Sequence, residues 1–232
     1  MATVSSARWV PMKWQRGQAL VESAVVMPVL ILMVLLAVQL IWLVFAQSTF
    51  RGAVSYALRA GALHHGDERI MARTLVVGMA SLQPVTLASL TPEREELWQA
   101  QLQSSLQQWL HFQWAGKLTT LAPTEQVLAA QAETRYDLEL AQWVHELAVD
   151  HPALRFNATT QQQRPQLAIE VWWCLPLEVP LAAQVLVALR SWLQSPAQRF
   201  CKLREEVVGR PLWALEQRLE GPLLSGYRHG LN

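Results

Sequence analysis

Glu22 carries the sharpest chemical question in this chain, because it stands at the edge of a run without any charged residue, Ala24 to Ala46. A carboxylate beside a membrane-length apolar run is costly to bury and requires a reason. In one reading Glu22 lies at the headgroup level and starts the helix, where the macrodipole favours an anion. In the other, the chain is cut between Gly17 and Gln18, so that Glu22 becomes the fifth residue of the shortened chain. Its carboxylate then lies about one helical turn from the new α-ammonium group.

Elsewhere the residue types give little chemistry. Cys174 and Cys201 are the only cysteines. They read either as two buried thiols or as a disulfide that closes a loop of about 27 residues and contributes about 3.5 kcal/mol on the chain-entropy account. The histidines show no HExxH spacing, and the sequence has no zinc-ribbon cysteine pairs and no GxSxG, GxxxxGK[ST] or GxGxxG motif. We therefore expect no enzyme activity, no metal and no cofactor. A net charge of +1 gives no reason to expect nucleic acid as a partner.

The element that must position Glu22 is the apolar run itself. At about 1.5 Å per residue it spans roughly 35 Å, enough to cross a bilayer core of about 30 Å. A cleaved secretory signal is shorter and ends at a small-x-small site, which Val44-Phe45-Ala46 does not supply. Arg8, Lys13 and Arg16 precede the run with no acidic residue before Glu22, while Arg51 and Arg59 follow it; this predicts a cytoplasmic N-terminus. Pro28 deletes one backbone hydrogen bond inside the run and is either tolerated there or sets a bend. Gln39, the one clearly polar side chain in the run, is a candidate for a hydrogen bond across a helix interface.

The string RGQALVESAVVMP resembles the processing site of type IV pilins and pseudopilins, and within them the TadE-type minor pseudopilins of the tight-adherence (Tad, or Flp) pilus, with a pattern close to RGxxxVEFAxxxP. Arg16, Gly17, Val21, Glu22, Ala24 and Pro28 match it, and Ser23 stands where the family has an aromatic residue. The resemblance covers about residues 13 to 63 and includes Arg59-Ala60-Gly61-Ala62. It implies a processing site at Arg16, Gly17 and Gln18, and an assembly role for Glu22 and Pro28. The implied partners are a prepilin peptidase, other pilin and pseudopilin subunits, the inner-membrane Tad assembly platform and the lipid bilayer. The implied place is the bacterial inner membrane, with the C-terminal domain periplasmic. An unprocessed single-pass protein with a partner-binding outer domain, and a type II secretion pseudopilin, are the alternatives.

The expected fold is α+β and pilin-like. A leader (1–17) precedes a transmembrane and stalk helix (18–63), which carries a helix-rich outer domain (64–232) with a small antiparallel sheet. Ala53, Ala57, Ala60 and Gly61 give the stalk a small-residue face, and Phe50, Val54 and Leu58 an apolar one. Helices are predicted from Asp67 to about Ser81 and from a Thr91 cap to about Trp114, the latter burying Leu97, Leu106, Trp109 and Leu110, with Gly116 as its stop. Further helices are predicted from Thr124 to about Val149, from Leu181 to Leu193 and from Ala197 to about Leu219. Alternation at Leu154–Thr159 and at Leu167–Trp173 predicts a β-hairpin. Of the eleven tryptophans, Trp9, Trp14 and Trp42 flank or lie in the membrane region, and the other eight are assigned to core or subunit-interface packing.

Overall fold

A computed structural model of the chain describes residues 18–138, 140–150, 165–190, 192 and 195–228, apart from 83–93. One helix dominates it. Helix α1 runs from Gln18 to Leu63, about 69 Å, and holds Pro28 inside it. It ends where His65 and Gly66 take positive φ (58° and 79°), with the Gly66 N–H donating to the Gly61 carbonyl at 2.8 Å. A Cβ on Gly66 would also lie 2.2 Å from the Tyr227 ring, so this glycine serves both the turn and the close packing of the C-terminal segment.

Helix α2 (Glu68–Met79) folds back along α1, capped by Asp67, whose carboxylate accepts from the N–H groups of Arg69 and Ile70. Its buried stripe of Met71, Leu75, Val76 and Met79 lies on the small-residue face of α1. A Cβ on Gly61 would meet Met71 Sδ at 2.4 Å, and one on Gly78 would meet Ala53 Cβ at 2.7 Å. The small residues are thus what lets the two helices approach.

A single 3₁₀ turn (Ala80–Leu82) follows, and helix α3 (Arg94–Ala115) leads into strand β1 (Gly116–Ala122). The start of α3 around Thr91 lies outside the described residues. Contrary to expectation, α3 turns Leu97, Leu106 and Leu110 to the outside and buries Ser104, Gln108 and Ala115. The small and amide side chains fit against the turn, where Ser104 Oγ donates to the Ala80 carbonyl at 2.7 Å. Trp98, Leu102, Leu106, Leu110 and Trp114 form the exposed stripe.

The predicted helix from Thr124 to Val149 is corrected. Only α4 (Glu125–Gln131) is helical there, and strands β2 (Glu133–Asp137) and β3 (Gln142–Glu146) then form a separate antiparallel hairpin. Tyr136 pairs with Trp143 across it, ring centroids 5.4 Å apart and edge to face, a cross-strand contact that favours strand over helix.

Strand β4 (Gln166–Pro176) is the centre of a three-stranded antiparallel sheet, between β1 and β5 (Leu212–Pro222). Leu167, Ile169, Val171, Trp173 and Leu175 alternate onto the main core, as the strand pattern predicts. The predicted hairpin partner, Leu154–Thr159, lies outside the described residues; the neighbours of β4 are β1 and β5 on its two edges. Helix α5 (Pro180–Arg190) follows β4, and α6 (Pro196–Lys202) begins at the Ser195 cap. The predicted long helix from Ala197 to Leu219 is likewise corrected: α6 and one further turn (Glu205–Val208) give way to β5 at Gly209-Arg210-Pro211, with Gly209 at φ 68°. Proline and left-handed glycine break the helix, and Trp213, Leu215 and Leu219 then follow strand spacing.

The tryptophans divide. Trp173 is buried, stacked on Phe112 at 6.0 Å, and Trp42, Trp109, Trp172 and Trp213 are half-buried. Trp98, Trp114, Trp143 and Trp192 are exposed in the single chain, which leaves the subunit interface as the place expected for them. Trp9 and Trp14 lie outside the described residues.

Candidate functional site

The structural feature most relevant to function is the contrast between the two halves of α1. From Phe50 onward the helix is the centre of the main core, through Phe50, Ala53, Val54 and Ala57. From Glu22 to Val34 it stands free of the domain, with Val25, Met27, Val29, Met33 and Val34 each more than half exposed. An apolar surface of this length, hydrophobic all round, does not stay in water; it calls for lipid or other helices. This is the one described helix long and apolar enough to cross a membrane.

Glu22 stands exposed near the free end of this helix. Pro28 lies within the helix, and its missing N–H leaves the Ala24 carbonyl without the usual intrahelical partner. Gln18 is the first helical residue, whereas Arg16 and Gly17 lie outside the described residues. Of the predicted processing and assembly residues, Gln18, Glu22 and Pro28 therefore share one element, with Glu22 and Pro28 both on its free half.

The domain first grips α1 at Gln39, which is fully buried. Its Oε1 accepts a hydrogen bond from the Val179 N–H at 3.0 Å, just before α5. The polar residue predicted to bond across a helix interface thus bonds within its own chain. Leu43, four residues on, packs with Leu177, Ala183 and Leu186.

Beyond the helix, a disulfide joins Cys174 on β4 to Cys201 on α6, Cα atoms 5.4 Å apart. The pair is buried with Ala115 and Leu212. His111 lies beside it, its Nε2 2.7 Å from the Cys174 carbonyl oxygen, so Nε2 carries the proton. Burial lowers the pKa of His111, partly opposed by that hydrogen bond.

Two ion-pair groups had no signal in the sequence. Arg190 is buried and forks onto Glu205 while also donating to the Leu212 carbonyl at 2.8 Å. Burial pushes the Glu205 carboxyl up, but the Arg190 hydrogen bond and the Leu212 N–H outweigh it and hold the pKa below the usual carboxylate value. Arg228 joins Asp137 and Glu146, at 2.5 and 2.9 Å, and ties the C-terminal segment to the β2–β3 hairpin. Their partners are distant in sequence, so spacing could not reveal them. Among the described residues, no group of three or more His, Cys, Asp or Glu could hold a metal ion.

A free apolar helix continuing into the core of an α+β domain gives the chain one candidate membrane anchor. Residues 17–59 match the family model for TadE-like protein, and over that segment the chain is TadE-like, which relates it to Tad pili. The match ends within α1, so the domain beyond it is not part of the likeness. No curated protein and no solved structure matches the chain.

Proposed function

We propose that this chain is a minor pseudopilin, cut by a prepilin peptidase between Gly17 and Gln18 and acting in assembly or priming of a tight-adherence pilus. The reading rests chiefly on the free apolar half of α1, headed by Glu22, together with a family match that begins at Gly17. The chain enters the inner membrane with its N-terminus cytoplasmic and its domain periplasmic. The peptidase supplies the catalytic groups; Gly17 gives access to the scissile bond. After the cut, the ammonium group of Gln18 and the carboxylate of Glu22 on adjacent subunits attract each other in a medium of low dielectric, which offsets part of the cost of burying both. The free helix half supplies the packing surface for neighbouring subunits. The chain itself is structural rather than enzymatic.

The test is the intact mass of the protein made with and without an active prepilin peptidase. A new N-terminus at Gln18, lost in Gly17→Ala, supports the reading. A chain that retains residues 1–17 in a competent host leaves a plain single-pass anchor instead.

A further inference from the structure

Between Glu96 and Lys117 the sequence holds no Asp, Glu, Lys or Arg, so nearly all of α3 is uncharged. Its outward side is apolar: Trp98, Leu102, Leu106, Leu110 and Trp114 are each more than half exposed. A helix face turned to water ordinarily carries charged or polar residues. The stripe is the side away from the domain, because Leu106 and the buried Ala115 are about two and a half turns apart on the helix. On the opposite side Ser104 and Gln108 are buried and Phe112 stacks on Trp173. An apolar face of this length calls for a cover.

The height of α3 along α1 identifies that cover. Gln107, Gln108 and His111 share the lining of one cavity with Val38, Gln39 and Trp42. Gln39 lies about 26 Å along the helix axis from Glu22, and Trp42 about 30 Å. With Glu22 at one face of a bilayer core of about 30 Å, the middle of α3 stands beside the other face. At this height the outer side of α1 is still apolar, with Leu40, Ile41 and Val44 each more than half exposed, and the first charge after Glu22 is Arg51. The apolar surfaces of the two helices thus meet at one level. Trp98 and Trp114 stand at the two ends of the α3 stripe, and tryptophan is enriched where hydrocarbon gives way to headgroups. Interfacial helices that bind on their own use a basic face to reach the membrane; α3 is tethered there by α1 and needs none. A second copy of the chain could cover a stripe at any height, whereas lipid covers only one at this height. We infer that α3 lies on the bilayer surface on the domain's side, with its Leu and Trp stripe buried among phospholipid headgroups and the first acyl carbons.

The inference rests on the membrane-spanning reading of α1 and is tested so that the two can fail separately. A photoreactive benzophenone amino acid replaces Leu106 in the full chain, and Leu110 or Leu138 in separate proteins. All three side chains are exposed, so the replacements leave the core intact, and Leu110 repeats the test should the Leu106 protein fail to fold. Leu138 is the control, because its neighbour Asp137 pairs with Arg228, whose N–H donates to the His65 carbonyl at the far end of α1. Each protein is placed in vesicles of phosphatidylcholine and phosphatidylglycerol, and insertion is scored first by resistance to alkaline extraction. Adducts formed on irradiation are then weighed by mass spectrometry. Phospholipid adducts are expected at 106 and 110 and their loss at 138. An inserted chain that joins to a second copy from 106 and 110, that joins to no lipid there, or that joins to lipid equally from 138 overturns the inference alone. A chain washed from the vesicles overturns the spanning reading with it.

Discussion

The side-chain oxygen of Gln39 accepts a hydrogen bond from the backbone N–H of Val179, at 3.0 Å, and so ties the apolar helix to the segment that opens α5. Because Gln39 is fully buried, the bond sets the point at which α1 stops being a free helix and becomes part of a domain. Replacing it with leucine leaves the half-buried Val179 N–H without this partner, at a cost of about 1 kcal/mol. Chemical unfolding of the detergent-solubilised chain measures this. A Gln39→Leu protein as stable as wild type would mean that the bond contributes nothing to the junction.

The Cys174–Cys201 bond crosses from the central strand to α6, with a sequence separation of 27. On the chain-entropy account its loss costs about 3.5 kcal/mol. The double substitution Cys174→Ser, Cys201→Ser is expected to lower the unfolding midpoint accordingly. Oxidised protein, denatured without reductant, is expected to show no reactive thiol; two reactive thiols per chain would refute the bond.

The long helix and the strand Leu167–Trp173 were legible because each depends on a local pattern: unbroken apolar composition in one, strict alternation in the other. The stretch after Thr124 is not, since Tyr136, Trp143 and Val144 satisfy helical spacing on paper while their cross-strand contacts exist only once β2 pairs with β3. Strand β5 is hidden for the opposite reason: the helix predicted from Ala197 to about Leu219 runs across Gly209 and Pro211, where the chain breaks and changes to strand spacing. At the candidate site, Glu22 and Pro28 could be read from spacing. The grip of Val179 on Gln39 could not, because it joins residues 140 positions apart.

His111 gives the domain a pH dependence. Burial holds its pKa below the ordinary value of 6.5, so the folded chain keeps the ring neutral while the unfolded chain binds a proton more readily. The folded state thus has its full stability above pH 6.5 and loses some as the pH falls from there towards the lowered folded pKa. His111→Gln, which can still donate from its amide to the Cys174 carbonyl, is expected to flatten the stability profile below pH 6.5. Equal slopes between pH 6.5 and 4.5 for the two proteins would remove His111 as the cause; Glu205 cannot replace it there, because its lowered pKa makes stability fall only below about pH 4.5.

Gly66 joins the two ends of the domain. Its φ of 79° lets α1 turn into α2, and its missing side chain leaves room for Tyr227, whose backbone pairs with Leu147 beside the hairpin. Gly66→Ala therefore meets both a left-handed backbone, about 1–2 kcal/mol, and a ring that must move. Tyr227→Leu in the same chain relieves the second cost and leaves the first. The double variant is accordingly expected to lose less stability than the two single losses added together, as neighbours in contact do. Strict additivity in a double-mutant cycle of unfolding free energies would show that Tyr227 does not pack against this turn.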